Sequence, residues 1–198
     1  NTTGIRNTAI GRKALRLVTT GQQNTAVGQA ALANNTASNN VAIGHDALVA
    51  NTSGTSLAAV GTYSLDANTT GNQNTAIGYG SLTSSTTGGN NTGLGFNALQ
   101  SNTTASSNTA VGAQAGNSTT TGEITAVGTQ SLYNNTTGTG LLAVGFQSLY
   151  NNTTGTANTA VGNNFAGTIG GALFSNTTGS QNTALGAGAL YANTTSGN

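Results

Sequence analysis

The chain has no cysteine, no proline, no methionine and no tryptophan, and only 4% of its 198 residues are charged. Without cysteine there is no disulfide framework and no thiolate metal site. Without methionine, the chain is expected to be a mature or internal segment of a longer product. No apolar run approaches the roughly 18 residues that a membrane helix needs, and no signal-peptide pattern opens the sequence. Aromatics reach 5%. A typical soluble domain carries about 25% charged residues, so this surface must be hydrated by neutral hydroxyls and amides. What fills the chain instead is 38 Thr, 30 Gly and 28 Asn.

Charge is scarce and unevenly placed. All four basic residues, Arg6, Arg12, Lys13 and Arg16, lie in the first 16 positions, while Asp46, Asp66 and Glu123 are scattered. A net charge of +1 gives no basic stripe for nucleic acid. The N-terminal cluster suits an acidic neighbour or a phosphate, or simply a solvated end of the array.

Low complexity suggests disorder unless a period holds the sequence in phase. Here it does. NTAVG or a close variant ends at Gly11, Gly28, Gly44, Gly61, Gly78, Gly95, Gly112, Gly128, Gly145, Gly162 and Gly186. The spacing is 17 residues in most units, 16 in two, and 24 in the last. The seven extra residues fall around 163–171. The unit reads N-T-A-(V/I)-G-x-x-(A/S)-L-x-x-N-T-T-G-x-x, with Ser38, Ala105 and Ser196 replacing the second turn glycine in three copies. Both 16-residue units are expected to lose a residue after that second turn, where a loop tolerates deletion.

Seventeen residues are too few for a helix pair or a propeller blade. They suffice for two short extended stretches and two corners, the first closed by a glycine and the second by NTTG. Repeated at constant period, this predicts an all-β parallel solenoid of about 11 coils across 1–198, roughly 53 Å long at the usual strand spacing.

Equivalent positions stack, so columns can be read as ladders. The column from Ile10 and Val27 to Leu185, and the column from Leu15 to Leu190 broken by Gly116, are both expected to be buried core. The Ala column, Ala9 to Ala184 with Gly93 as its exception, marks a close backbone approach. The leading Asn is replaced only by Leu57, Ile124 and Leu141, and the next Thr only by Val41, Ala58 and Leu142. Neighbouring strand residues face opposite ways, yet neither position accepts a charge, so the strand is expected to be dry on both faces. This places the motif sheet at a subunit interface. Asn7, Asn24, Asn40, Asn74, Asn91, Asn108, Asn158 and Asn182 are expected to form its amide ladder.

The pentad Asn40-Val41-Ala42-Ile43-Gly44, with NTAIG at 7–11 and 74–78, resembles the YadA-like head repeat of trimeric autotransporter adhesins. The NTAVG…NTTG array is also similar to those of phage and viral fibre proteins. The resemblance implies a left-handed parallel β-roll packed as a homotrimer, a non-enzymatic extracellular role at a cell surface or virion, and a host surface protein or glycan as partner. From net charge, the lack of a long apolar run and the lack of a site motif, no nucleic acid, no membrane insertion of this segment and no cofactor are expected. The chain begins and ends in nearly the same phase of the repeat, and open strand edges would permit end-to-end stacking into a filament.

Enzyme chemistry finds little support. His45 and Asp46 form the one His–Asp pair, without a nucleophile beside them. Two Asp residues are too few for calcium-binding repeats. Tyr79, Phe96 and Phe146 follow the motif glycine, and Tyr133, Tyr150, Phe174 and Tyr191 extend the Leu column; such rows either cover a hydrophobic edge or bind sugars. Sequons at Asn51, Asn68, Asn102, Asn135, Asn152, Asn176 and Asn193 are expected on an exposed turn, open to glycosylation in a glycosylating organism. Regular Thr ladders raise ice binding as a further possibility.

Overall fold

The computed structural model describes residues 3–163 and 170–195. Among them are eleven strands: β1 (Thr8–Ile10), β2 (Thr25–Val27), β3 (Val41–Ile43), β4 (Ala58–Val60), β5 (Thr75–Ile77), β6 (Thr92–Leu94), β7 (Thr109–Val111), β8 (Ile124–Val127), β9 (Leu141–Val144), β10 (Thr159–Val161) and β11 (Thr183–Leu185). They form one parallel sheet in which each strand pairs with the next in chain order. The chain is therefore an all-β solenoid of 17-residue repeats. Register is exact in sequence terms: Thr75 pairs with Thr92 and Ile77 with Leu94. The 24-residue unit keeps this register, since Thr159 pairs with Thr183. The insertion expected at 163–171 lies mostly at 164–169, outside the described residues.

The coil is thin, and side-chain size explains why. Along each strand the Ala column points inward, with Ala26, Ala42, Ala59, Ala76, Ala110 and Ala126 fully buried. It faces the small A/S column of the preceding repeat: a Cβ placed on Gly93 would lie 2.6 Å from Ser81 Oγ. Two rows of small residues let the walls approach closely. The remaining volume is plugged from the corner by the Leu column, where Leu32, Leu48, Leu65, Leu82, Leu99, Leu132, Leu149 and Leu173 are fully buried.

These leucines adopt left-handed backbone, with φ from 47° to 53° between Leu15 and Leu190. That conformation costs an L-residue roughly 1–2 kcal/mol. Burying a leucine returns roughly 1.5–3 kcal/mol, so the corner keeps Leu where a glycine would be more comfortable. Gly116 is the exception in this column. A Cβ there would lie 3.1 Å from both Ile124 Cδ1 and Leu99 Cδ2, so Ile124, in the Asn column of the next repeat, fills the space the leucine leaves. The motif glycines answer to a different constraint. Gly78 has φ of 128°, and a Cβ on it would collide with the carbonyl of Gly95 in the next coil.

Two expectations are corrected. The column from Ile10 to Leu185 is not core: Ile10, Ile43, Ile77, Leu94 and Leu185 are exposed, and Val27, Val60, Val111, Val127, Val144 and Val161 are half-buried. Because strand residues alternate, burying Ala forces the branched residue two places along from Asn's neighbour to the outside. The 16-residue units also lose their residue before the second turn position, not after it. Asn35 Nδ2 bonds the Ala37 carbonyl two residues on, whereas Asn51 reaches Gly54 three residues on. Ser38 accordingly takes the place of Gln22's partner in the stack, its Oγ accepting from the Gln22 N–H at 2.9 Å.

Candidate interaction surface

The outer face of the sheet is an apolar strip. Thr8, Thr25, Thr75, Thr92, Thr109, Thr125, Thr159 and Thr183 form one outward column with Val41, Ala58 and Leu142, and the branched aliphatics form the other. Exposure is 36% at Val41, 41% at Ile43, 39% at Ile77 and 41% at Leu94. Eleven strands make the strip about 50 Å long and two side chains wide. No charged residue stands in either column. Tyr79 and Phe96, each about half exposed, extend the strip over the corner, their ring centroids 5.7 Å apart. An uncharged surface of this length, half of it aliphatic, is uncommon on a monomeric soluble protein.

The Asn ladder exists, but inside the coil. Asn24, Asn40, Asn74, Asn91, Asn108, Asn158 and Asn182 are fully buried, while Asn7, in the first coil, is half-buried. The interface expectation for these residues is therefore corrected: they share the inward face with Ala. From Asn7 to Asn158 each Oδ1 accepts from the backbone N–H one coil on, as Asn91 does from Asn108 at 3.0 Å. Except at Asn108, Nδ2 typically donates to the turn carbonyl that closes the same repeat, as Asn7 does to Gly21 and Asn74 to Gly88 at 2.7 Å. Leu57, Ile124 and Leu141, which replace this Asn, are buried as well. A dry inner face thus accepts either an amide with both ends bonded or an aliphatic.

A second ladder, read from sequence as sequons, is also interior. Asn51, Asn68, Asn102, Asn135, Asn152 and Asn176 are fully buried, and Asn193 is half-buried. Nδ2, the atom that would carry a glycan, is occupied: Asn152 donates to Asn135 Oδ1 at 2.9 Å and to the Gly155 carbonyl at 3.0 Å. Asn193 donates to Asn176 Oδ1 at 3.3 Å. The expectation of an exposed sequon Asn is corrected; what the turn exposes is its threonines. Among the described residues, four buried side-chain atoms have no partner: Asn68 Oδ1, Ser85 Oγ, Asn108 Nδ2 and Thr119 Oγ1. Ser85 and Thr119 stand where this ladder loses its asparagine, and Asn68 directly precedes Ser85 in the stack. Asn108 begins a 16-residue unit, yet Asn24, which begins the other one, does reach its turn carbonyl, Ala37, at 2.8 Å. Sequence reasoning missed this second ladder, although the 17-residue recurrence of Asn at that position was its signal.

The remaining candidates resolve simply. His45 Nδ1 lies 3.4 Å from Asp46 Oδ2, with the pair about 40% and 29% exposed on a corner where the His45 ring meets Tyr63 edge-on. Tyr133, Tyr150, Phe174 and Tyr191 stack face to face at 5.2, 5.2 and 5.6 Å. Their ring faces are spent on one another, which fits packing better than sugar binding. Among the described residues there is no group of three His, Cys, Asp or Glu that could hold a metal ion, and no enclosed cavity. Among the described residues no helix is long and apolar enough to cross a membrane. Comparison with protein-family models, with curated proteins and with solved structures returns no match.

Proposed function

We propose that the chain is a non-enzymatic structural rod from an extracellular fibre, a surface-attachment segment that works as a homo-oligomer. The observation that carries this reading is the outer strip: about 50 Å of uncharged Thr and branched aliphatic side chains with nothing against it in a single chain. Three copies packed along that strip would give the adhesin-like arrangement that the pentad suggests, with corner residues left to meet a host protein or glycan. Light scattering on the purified chain tests it. A mass of about three chains supports the reading, and a monomer at high micromolar concentration refutes it. Micrometre filaments in negative stain would instead favour end-to-end stacking of subunits.

One observation favours a second reading. Eight outward threonines in register on a parallel sheet resemble the regular hydroxyl array of an ice-binding surface. Val41, Ala58 and Leu142 interrupt that array, and Tyr79 and Phe96 project beside it, so association remains the preferred use of the face. Thermal hysteresis with faceted ice crystals would reverse the preference.

A further inference from the structure

We infer that the coil containing β1 is a binding site for a sulfated polysaccharide, held by Arg6, Arg12, Lys13 and Arg16. This deepens the attachment reading by naming the chemistry of the partner, and rests on that reading for its setting.

The four side chains are all exposed and fall within one coil, whereas residues 17–198 contain no Lys or Arg and three acids. The nearest acid in sequence, Asp46, sits two coils away, roughly 10 Å along the axis at strand spacing, about one Debye length in 0.1 M salt. Arg16 Nη2 reaches Asn34 Oδ1 at 3.3 Å. Among the described residues, no ion pair engages any of the four. Their charge is therefore uncompensated, in a molecule whose other surface is almost wholly neutral.

The kind of anion follows from the residue types and from what lies next to them. Three of the four are arginines, whose planar guanidinium matches a carboxylate or a tetrahedral oxyanion, phosphate or sulfate alike, with two parallel hydrogen bonds. In the next coil the columns of Arg6 and Arg12 continue as Gln23 and Gln29, both exposed. Each column thus offers a cation and then a carboxamide, one strand spacing apart, with Gln29 Nε2 already 3.3 Å from His45 Nε2 and its Oε1 left to a ligand. That pairing suits a sugar chain, which presents a sulfate beside hydroxyls. Nucleic acid recognition is carried by a basic stripe of phosphate contacts, which four cations spread over several corners do not form. A lipid surface would offer phosphates to the same arginines but has little use for the carboxamides beside them.

The test uses the full 198-residue chain with heparin as the probe, in 50 mM salt, alongside phosphatidylglycerol vesicles and single-stranded DNA. Heparin should bind, with affinity falling on the order of tenfold or more between 50 and 200 mM salt. The variant R6Q/R12Q/K13Q/R16Q should bind at least tenfold more weakly while keeping its far-UV circular dichroism and its mass by light scattering. Those two controls keep loss of binding apart from loss of folding or of self-association. Absence of heparin binding by the wild-type chain, undiminished binding by the variant, or vesicle or DNA binding as tight as heparin binding would each overturn the proposal.

Discussion

The two faces of the sheet are made by alternate residues of the same strands, yet they are solved in opposite ways. The inner face is closed on itself: Asn bonds a backbone N–H of the adjacent coil and the turn carbonyl that closes its own repeat, and Ala meets Ala or Ser across the lumen. The outer face carries the larger aliphatics and satisfies nothing within the chain. The contrast teaches that size alone does not decide which side of a strand is core. The lumen is filled from its corners by leucine, so the strand itself must present its smallest side chain inward.

The comparison can be broken most severely from inside. Leu82→Ala removes a fully buried plug whose neighbours are backbone-locked and cannot collapse far. It should cost about 3–4 kcal/mol, within the range for buried leucine truncations, read as a fall in the denaturation midpoint. Asn91→Ala should follow at about 2–3 kcal/mol. It strands the Asn108 N–H, which Asn91 Oδ1 accepts at 3.0 Å, and removes the 2.9 Å bond to the Ala105 carbonyl; each unmet buried group costs roughly 1–3 kcal/mol. Asn91→Leu should cost less than Asn91→Ala, because Leu57 and Leu141 already occupy this column. If the alanine variant proved harmless, the inner face would not be held by its amides.

Much of this was legible in sequence, and the failures share one cause. The period, the parallel solenoid, the glycine corner, the buried Leu column and the existence of an Asn ladder all follow from recurrence at 17 residues. Recurrence does not carry phase. Alternation puts Asn with Ala and Thr with Val, but both pairs include columns that accept aliphatics, so the pattern is symmetric between inside and outside. The greater bulk of Val and Ile then favours the wrong assignment. The asymmetry lay in the replacements: Asn yields only to Leu57, Ile124 and Leu141, all large and all uncharged, whereas Thr also yields to Ala58. The buried NTTG asparagine was misread because Asn-Thr-Thr-Gly is ordinarily the composition of an open turn. Here the turn's first side chain folds under the backbone and bonds its equivalent in the coil before it.

That second ladder offers a gain rather than a loss. Ser85 interrupts it and leaves Asn68 Oδ1 without a donor. In the uninterrupted part, Asn68 Nδ2 itself donates to Asn51 Oδ1 at 2.9 Å. Ser85→Asn would supply the missing amide and should raise stability by about 1 kcal/mol, the usual net worth of one such bond. Thermal denaturation of the variant reads the change directly. A drop in midpoint would mean that the coil holding Ser85 lacks the room its neighbours have.

The smallest effect on the fold is expected on the outer face, and there the comparison is sharpened. Val111→Thr, Val127→Thr and Val144→Thr combined change three half-buried positions of β7, β8 and β9 that are apolar and lie on no inner ladder. Surface substitutions of this sort usually alter stability by no more than about 0.5 kcal/mol, so a dilute, dissociated sample should melt within a degree or two of the parent. Association should respond differently. Each new hydroxyl must be desolvated when two strips meet, at roughly 1–3 kcal/mol if it finds no partner, and in a symmetric assembly every copy brings three. Light scattering across a dilution series should show the variant dissociating at a concentration at least tenfold higher than the parent. Equal self-association of the two proteins would mean that the copies meet somewhere else, and a large loss of monomer stability would mean that this face belongs to the core after all.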